Sequence, residues 1–264
     1  MRPIQDMTAE QARRIRFVLT DIDDTLTDEG RLPAESYQAL QALGQAGLTV
    51  VPVTGRPAGW CDMIARFWPV AGVVGENGAL AFAYDHETKT LRRLYAASDE
   101  ERTKNRQKLD RLAHTIVADV PGAAVASDQA YREADLAIDF CEDVPPLDKN
   151  AIAKIVAHFT GAGAVAKVSS IHVNGWFGQY DKLTMTRRFF AEILKCDLEQ
   201  TKDQVIFCGD SPNDSPMFAY FPHGCGVAGV RDFKDEMTAK PAWISQARGA
   251  SGFVEITQHL LALR

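Results

Sequence analysis

The chain has 264 residues, of which 46% are hydrophobic and 24% are charged, so it can bury a large core, and it is long for one domain but short for two full-sized ones. The formal net charge of −6 and the scattered Lys and Arg residues leave no basic surface of the kind that binds nucleic acid, so no nucleic-acid partner is expected. The five cysteines are odd in number and widely spaced, and no apolar run approaches about 18 residues, so we expect no disulfide framework, zinc site or membrane span, and a cytoplasmic protein.

The first predicted strand covers residues 16–20 and ends at two carboxylates, Asp21 and Asp23. Residues two apart in an extended segment project to the same side, and Gly30 and Pro33 soon interrupt the pattern. Open α/β sheets bind their ligands at the carboxyl ends of their strands. Two acids this close repel each other unless a cation neutralises them or one is protonated, and an oxygen-only cluster suits Mg²⁺. The first hypothesis is therefore a metal-assisted reaction.

The next segments alternate between helix and strand, which is typical of a parallel α/β core. They are a helix over 33–46, a strand over 48–53, a helix to Phe67 and a strand over 70–74, followed by a hairpin from 79–83 and 90–95. The second strand stops at Thr54, Gly55 and Arg56, where a hydroxyl and free backbone N–H groups could hold an anion. Arg56 could pair with a surface acid or contact the substrate or a cap. Glu76 and Asn77 are expected to shape a turn with Gly78 rather than to bind substrate.

The sequence pattern changes after Ala97, where a second unit begins. Ser98 and Glu101 have capping-box spacing, and a helical face follows in Leu109, Leu112, Ala113, Ile116, Val117 and Val120. Residues 132–140 alternate, with Asp135 and Asp139 opposite the apolar side chains, which predicts a half-exposed strand. A second helix through residues 152–159 and a strand over 165–173 complete an inserted α/β unit, which spans about residues 97–177.

The last predicted strand of this insert offers a pointer to the substrate. Regular alternation places Ser170, His172 and Asn174 on the face opposite Ile171 and Val173. A row of polar side chains on such a sheet could contact a sugar. The alternative is an ordinary solvent-exposed strand whose histidine is hydrogen-bonded to neighbouring residues.

Two charged segments follow the insert. Lys182 opens a helix, and a strand over 204–208 is followed at once by Asp210, Asn213 and Asp214. More carboxylates therefore arrive at a strand end. Asp214 and Asn213 could instead serve as helix caps.

Four short motifs thus occur in one order: Asp-x-Asp-x-Thr at 21–25, a threonine at 54, a lysine at 182 and Gly-Asp-x-x-x-Asp at 209–214. With Thr-Gly-Arg at 54–56 and Glu-Asn-Gly at 76–78, the sequence resembles the type IIB hydrolases of the haloacid dehalogenase superfamily, which include Cof-like, sucrose-phosphate and trehalose-phosphate phosphatases. The resemblance implies an α/β fold. In it a doubly wound, Rossmann-like parallel-sheet core, residues 1–96 and 178–264, carries an α/β cap domain over residues 97–177.

The resemblance also implies roles for individual residues. Asp21 would be the nucleophile that forms an aspartyl-phosphate, and Asp23 would protonate the leaving oxygen and then activate water. Mg²⁺ would be held by the Asp21 carboxylate, the Asp23 backbone carbonyl, Asp210 and Asp214, the last directly or through water. The substrate would contact Thr54, the Gly55 N–H, Arg56, Lys182 and Asn213 in the core, and His172 and Asn174 in the cap.

The expected function is that of a Mg²⁺-dependent phosphatase acting on a small phosphorylated metabolite, in the first place a sugar phosphate. A phosphomutase is an alternative, and its cap would have to hold a second phosphate. A phospho-acceptor signalling domain is a second alternative. Its acceptor aspartate would follow a middle strand, whereas Asp21 follows the first predicted one, and it would have no inserted cap.

Overall fold

The computed structural model describes residues 1–169 and 171–264. The part of the chain that precedes the insert alternates strands and helices, as predicted. Its elements are β1 (Arg2–Pro3), α1 (Ala9–Arg14), β2 (Phe17–Thr20), α2 (Ala34–Gln45), β3 (Thr49–Pro52), α3 (Ala58–Phe67), β4 (Val73–Gly75), β5 (Leu80–Asp85) and β6 (Thr90–Tyr95).

The next elements are α4 (Asp99–Asp119), β7 (Ala124–Val125), β8 (Leu136–Asp139), α5 (Lys149–Gly161), β9 (Val165–Val168) and β10 (His172–Trp176). The four strands form an antiparallel sheet in the order β7-β8-β10-β9. Leu109 and Ile116 of α4 and Ile155 and Phe159 of α5 pack against this sheet in one apolar cluster. The predicted boundaries of a cap domain at residues 97 and 177 stay a prediction.

The chain then returns to the first part of the fold through α6 (Lys182–Phe189), a π turn (Phe190–Leu194), α7 (Leu198–Thr201), β11 (Val205–Gly209), α8 (Ser215–Tyr220), β12 (His223–Gly226), β13 (Trp243–Ile244) and α9 (Gly249–Ala262). Shorter 3₁₀ turns connect several of these elements. Among the described residues, no helix combines the length and the hydropathy that crossing a membrane requires.

A parallel sheet in the order β1-β13-β12-β11-β2-β3 is the centre of the molecule. The central strands β2 and β11 are buried along their whole length and are mostly apolar, as is typical of strands that are covered on both faces. Val18, Val50 and Ile206 pack with α2 and α9 on one face, whereas Leu19 and Phe207 pack with α6 and α8 on the other. A second, antiparallel sheet, β4-β5-β6, joins the parallel sheet through a bridge between Val53 and Val74. The neighbouring strands β11, β2 and β3 end at the same edge.

Several sequence expectations for the insert need correction. The strand predicted over 165–173 is two strands, β9 and β10, and β10 continues through Gly175 to Trp176. The two strands are linked by a hydrogen bond from the Ser169 N–H to the His172 carbonyl at 2.8 Å. A glycine is required at 175 because a Cβ there would lie 2.1 Å from the Phe159 ring.

The half-exposed strand predicted over 132–140 is also wrong. Every residue of β8 is buried, and Asp135 is fully buried just before it. Asp135 accepts hydrogen bonds from Arg132, and Asp139 accepts bonds from the backbone N–H groups of residues 141–143. The polar side of the alternation therefore faces a polar interior. On α4, Val117 does not share the buried face, since it is 39% exposed.

Candidate active site

The site lies where β2, β3 and β11 end side by side. Asp21 follows β2, Thr54 lies two residues beyond β3, and Asp210 follows β11. The strand ends are joined by hydrogen bonds from the Asp21 N–H to the Cys208 carbonyl at 2.9 Å and from the Val53 N–H to the Thr20 carbonyl at 2.8 Å. This is the edge at which open α/β sheets bind ligands.

Three buried carboxylates form the centre of the site. Asp21, Asp210 and Asp214 each offer an oxygen, and these atoms lie within 4.8 Å of one another. Burial, followed by the charges of the neighbouring carboxylates, raises the pKa of Asp21 to about 7 and that of Asp210 well above its ordinary value. Burial therefore opposes the ionisation of these acids unless a further positive charge compensates them. A group of buried carboxylate oxygens in this state suits a divalent cation such as Mg²⁺.

Lys182 supplies one positive charge to this cluster from the first turn of α6. Its Nζ donates to Asp21 Oδ2 at 2.9 Å and to Asp214 Oδ1 at 2.8 Å. Burial alone would lower the pKa of Lys182, but the charges of Asp21 and Asp214 outweigh burial and raise that pKa. The ammonium group therefore stays charged. The alternative that Asp214 caps a helix is wrong, because its side chain makes no capping bond to α8 and instead binds Lys182 and the Asp210 N–H.

Asp23 lies apart from the three clustered acids and is held by Arg56. The Arg56 Nε lies 2.9 Å and 3.1 Å from the two Asp23 oxygens, and Nη2 donates to Oδ1 at 2.8 Å. The same Nη2 donates to Glu142 Oε1 at 3.0 Å, and the guanidinium lies over the Trp60 ring. Arg56 is 4% exposed, so it is not a surface ion pair. It connects Asp23 to an acid of the inserted segment.

The loop after β3 combines a buried hydroxyl with a close backbone approach. Thr54 is fully buried, and its Oγ1 accepts a hydrogen bond from the Arg56 N–H at 3.1 Å. A Cβ at Gly55 would lie 3.2 Å from the Asn77 amide. Asn77 follows Glu76, and both have φ values in the left-handed region, 55° and 44°. The turn at 76–78 therefore brings the Asn77 amide against the loop that is predicted to hold the phosphate.

His172 and Asn174 lie on one face of β10, as predicted, but that face is not exposed to solvent. They are 2% and 4% exposed. His172 Nε2 lies 2.9 Å from Glu142 Oε2, and the Asn174 Nδ2 donates to Asp135 at 3.1 Å. With Asp23, Asn213 and other residues they line a cavity of about 30 Å³. Ser170, predicted on the same face, lies outside the described residues.

Asn213 is half-buried at the rim of the same cavity. Its Oδ1 accepts a hydrogen bond from the Ser211 hydroxyl at 2.7 Å. The remaining predicted substrate contacts, Thr54, Gly55, Arg56 and Lys182, lie around the acidic cluster as described. Their roles toward a substrate stay predictions.

Sequence reasoning missed the contribution of Glu76. Its side chain is fully buried and accepts four backbone hydrogen bonds, from Ala58, Glu133, Ala134 and Asp135, at 2.7–3.1 Å. Burial, with the Asp135 charge, raises the pKa of Glu76 to about 7 against the opposing effect of Arg132. Glu76 therefore fastens the insert to the start of α3. The Glu-Asn-Gly motif indicated the turn but not this contact.

Sequence reasoning also missed the contribution of Arg132. Its guanidinium forms two bonds to Asp128, at 3.0 Å each, and two to Asp135, at 3.1 and 3.2 Å. Its Nη1 also donates to the Gly55 carbonyl at 2.9 Å. The insert is thus bonded directly to the loop that carries Thr54.

Comparisons with known proteins agree with this arrangement. The family model described as haloacid dehalogenase-like hydrolase matches residues 18–134. A phosphoglycolate phosphatase of Thermoplasma acidophilum is 25% identical over 206 residues, which cover 77% of this chain and 81% of that protein.

Solved structures show the same fold. A HAD/COF-like hydrolase from Plasmodium vivax has a TM-score of 0.69 at 18% identity and covers 97% of this chain and 100% of its own. The sucrose-phosphatase of Synechocystis, solved with sucrose and phosphate, has a TM-score of 0.60 at 15% identity, covering 92% and 97%. These likenesses confirm the predicted α/β fold class. The family model over residues 18–134, the fold and the ordered motifs all agree with the predicted resemblance to the haloacid dehalogenase-like hydrolases.

Proposed function

We propose that this enzyme is a Mg²⁺-dependent phosphatase that hydrolyses a small phosphorylated metabolite, in the first place a sugar phosphate. The observation that carries the proposal is the buried group of Asp21, Lys182, Asp210 and Asp214 at one sheet edge. A cation-binding carboxylate cluster beside a fixed ammonium group suits a reaction on a phosphate ester, whose oxygens are negatively charged. The phosphatase names of similar proteins support this reaction class.

The chemistry divides one difficult hydrolysis into two steps. An Asp21 oxygen attacks phosphorus, the bond from phosphorus to the ester oxygen breaks, and Asp23 gives that oxygen its proton. A water molecule then attacks the aspartyl-phosphate, Asp23 takes a proton from it, and the bond to Asp21 breaks. Phosphate leaves and both acids are restored.

The other residues position and neutralise the transferred group. The Thr54 hydroxyl, the Gly55 N–H and the Lys182 ammonium would hold the phosphoryl oxygens. Lys182 already lies 2.9 Å from Asp21, so it can keep that carboxylate in place while binding an oxygen of the substrate. Arg56 holds the Asp23 carboxyl group through hydrogen bonds from Nε and Nη2, which fixes the position of the proposed proton donor.

The acidic cluster fits Mg²⁺. The ligands of the ion would be the Asp21 carboxylate, the Asp23 backbone carbonyl, Asp210 and, directly or through water, Asp214. When bound, the ion would neutralise charge on the phosphoryl group and on the attacking carboxylate. The raised pKa values of Asp21 and Asp210 agree with this proposal, because burial and the neighbouring acids disfavour their ionised forms more than Lys182 favours them, and a bound cation would favour those forms.

The substrate is a narrower proposal than the reaction. One similar protein is named for phosphoglycolate and another for sucrose phosphate, so both a small hydroxy acid and a sugar are candidate leaving groups. A phosphomutase stays an alternative, and its cap would have to hold a second phosphate; Arg132 does not offer a free charge for this, because it is paired with Asp128 and Asp135. A phospho-acceptor domain is disfavoured by the inserted segment between Thr54 and Lys182. A cytoplasmic location stays a prediction.

The test is a hydrolysis screen with Mg²⁺ over phosphorylated sugars, hydroxy acids and nucleotides, with release of inorganic phosphate as the readout. Asp21→Asn should abolish turnover because an amide does not attack phosphorus. Asp6→Asn, which changes an exposed carboxyl group outside the site, is the control and should leave turnover unchanged. Equal turnover by the Asp21→Asn chain and the wild type would refute the mechanism.

A further inference from the structure

A group of exposed apolar side chains lies on one side of the molecule, around helix α3. Nine large apolar side chains are exposed within residues 1–169 and 171–264, and five of them belong to this group: Tyr37, Trp60, Met63, Phe67 and Tyr131. We call these five residues the α3 patch. Exposed apolar residues that are scattered singly are normal in soluble proteins, whereas a contiguous patch marks an interaction site.

The members of the α3 patch are neighbours in space. The three members in α3 are three and four residues apart, so they share one face of the helix. The Tyr37 hydroxyl donates to the Phe67 carbonyl at 2.9 Å, which places Tyr37 of α2 beside the end of this face. A Cβ at Gly59 would lie 3.0 Å from the Tyr131 Cβ, so Tyr131 of the insert lies against the start of α3. The patch therefore extends from α2 across α3 to the insert.

The exposed area of the α3 patch is that of a dimer interface. A side chain of this size has an area of about 200 Å², and the five members are 37–73% exposed, so together they present roughly 500 Å². About 60% of an interface is apolar, so such a patch with its polar rim corresponds to roughly 800 Å² on one partner. Stable protein pairs bury about 800 Å² on each partner.

The charge and the symmetry of the α3 patch favour a second copy of this chain as the partner. The chain carries a net charge of −6, so two copies repel each other over much of their surfaces. The charges of α3 beside the patch, Asp62 and Arg66, form an ion pair with each other, so they do not add to this repulsion. With a two-fold axis beside Met63, Trp60 of each copy would meet Phe67 of the other, because these residues lie about equally far on either side of Met63.

We propose that the α3 patch is the interface of a homodimer in which the α3 helices of two copies pack antiparallel about a two-fold axis. Because Tyr131 belongs to the patch, the second copy would cover the junction between the insert and α3. The Trp60 ring lies over the Arg56 guanidinium, 4.5 Å from the ring centroid, so the interface would also adjoin the group that holds Asp23. This proposal concerns assembly and does not depend on the proposed reaction or its substrate.

The experiment introduces a charge into the patch and at a matched position outside it. Met63→Glu and Phe67→Glu each place a carboxylate on the exposed face of α3. Val117→Glu is the control, because Val117 also lies on a helix, α4, and is 39% exposed, compared with 40% for Met63. Sedimentation velocity over a range of concentrations measures the dissociation constant of the dimer, and thermal unfolding checks that each variant is folded.

The wild type and the Val117→Glu chain should form dimers of equal stability. Met63→Glu and Phe67→Glu should each raise the dissociation constant at least about 30-fold, as for a side chain at the centre of an interface, and should keep the Tm of an isolated chain because both positions are exposed. A wild type that is monomeric at every concentration would overturn the proposal and assign the patch to a different partner. A Phe67→Glu chain that dimerises as tightly as the Val117→Glu chain would overturn it as well.

Cross-linking tests the antiparallel arrangement without introducing a charge. A two-fold axis beside residue 63 brings the two copies of that residue together, so Met63→Cys should form a disulfide-linked dimer on mild oxidation. Val117→Cys carries the same five native cysteines and should stay a single chain on a non-reducing gel. Equal cross-linking of the two variants, or none in either, would contradict the proposed interface.

Discussion

Replacing Arg132 by Met should destabilise the protein strongly, because it leaves two buried acids without their partner. Asp135 is fully buried and Asp128 is 7% exposed, and Arg132 forms paired hydrogen bonds to both. Removing one partner of a buried ion pair costs about 3–5 kcal/mol. The bond from Arg132 to the Gly55 carbonyl is lost as well. Since a domain has about 5–15 kcal/mol of stability in total, the variant should lose a large share of it.

The matched control is Arg14→Met, the same substitution in an exposed pair. Arg14 and Asp203 lie 3.0 Å apart, and their side chains are 62% and 43% exposed. Exposed pairs contribute about 0–1 kcal/mol, so this variant should unfold close to the wild type. Urea unfolding followed by circular dichroism measures the free energy of unfolding of both variants. In thermal unfolding, a chain of this length loses about 2 °C of Tm per kcal/mol, so the Tm of Arg132→Met should fall by roughly 6–10 °C. If the two variants unfold alike, Arg132 does not hold the insert as we argue.

Four further predictions concern the site and the insert. Asp23→Asn should lower kcat by about 10²- to 10⁴-fold for alkyl phosphates and less for nitrophenyl phosphate, whose leaving oxygen needs little protonation; an equal loss on both esters would remove Asp23 as the acid. EDTA should abolish turnover and Mg²⁺ restore it, and Asp210→Ala should raise the Mg²⁺ concentration needed; activity that persists after chelation would contradict the metal requirement. Hydrogen bonding from His172, with the Arg56 charge, lowers the pKa of Glu142 from 4.5 to about 2, so its contribution to stability is present above about pH 4.5 and is lost as the pH falls towards 2. The difference in unfolding free energy between the wild type and Glu142→Gln should shrink over that range, and a constant difference would argue against it. His172→Ala and Asn174→Ala should change the ranking of sugar phosphates in kcat/KM, whereas uniform losses would indicate disturbed closure or folding.

The positions of most core site residues could be predicted because three of the four motifs follow apolar strands. Asp21, Thr54 and Asp210 come after strands that are buried on both faces, and parallel strands of one sheet end at one edge. Order along the chain and strand periodicity were therefore enough to place them together. The π turn over Phe190–Leu194 and the short strands β1 and β13 have no such signal, since a few residues cannot show a period.

The contacts between the core and the insert could not be predicted in the same way. Glu76 binds backbone N–H groups that lie 57 to 59 residues further along the chain. A bond from a side chain to a distant backbone has no periodicity and no required partner type. The alternation around Asp135 predicts a half-exposed strand, but the same alternation occurs whether the polar side faces water or a buried arginine.

The same arginines hold the two parts of the fold together and hold the predicted catalytic groups. Arg56 binds Asp23 and also Glu142, and Glu142 in turn lies 2.9 Å from His172. A movement of the insert would therefore change the position of Glu142 and, through Arg56, the support of the proton donor. Arg132 makes the corresponding connection between Asp135 and the loop that carries Thr54. Because both connections are made by buried charged groups, displacing the insert would break bonds of the same arginines that orient the reacting groups. Substrates that fail to hold the insert in place should consequently be turned over slowly even when their phosphate binds normally.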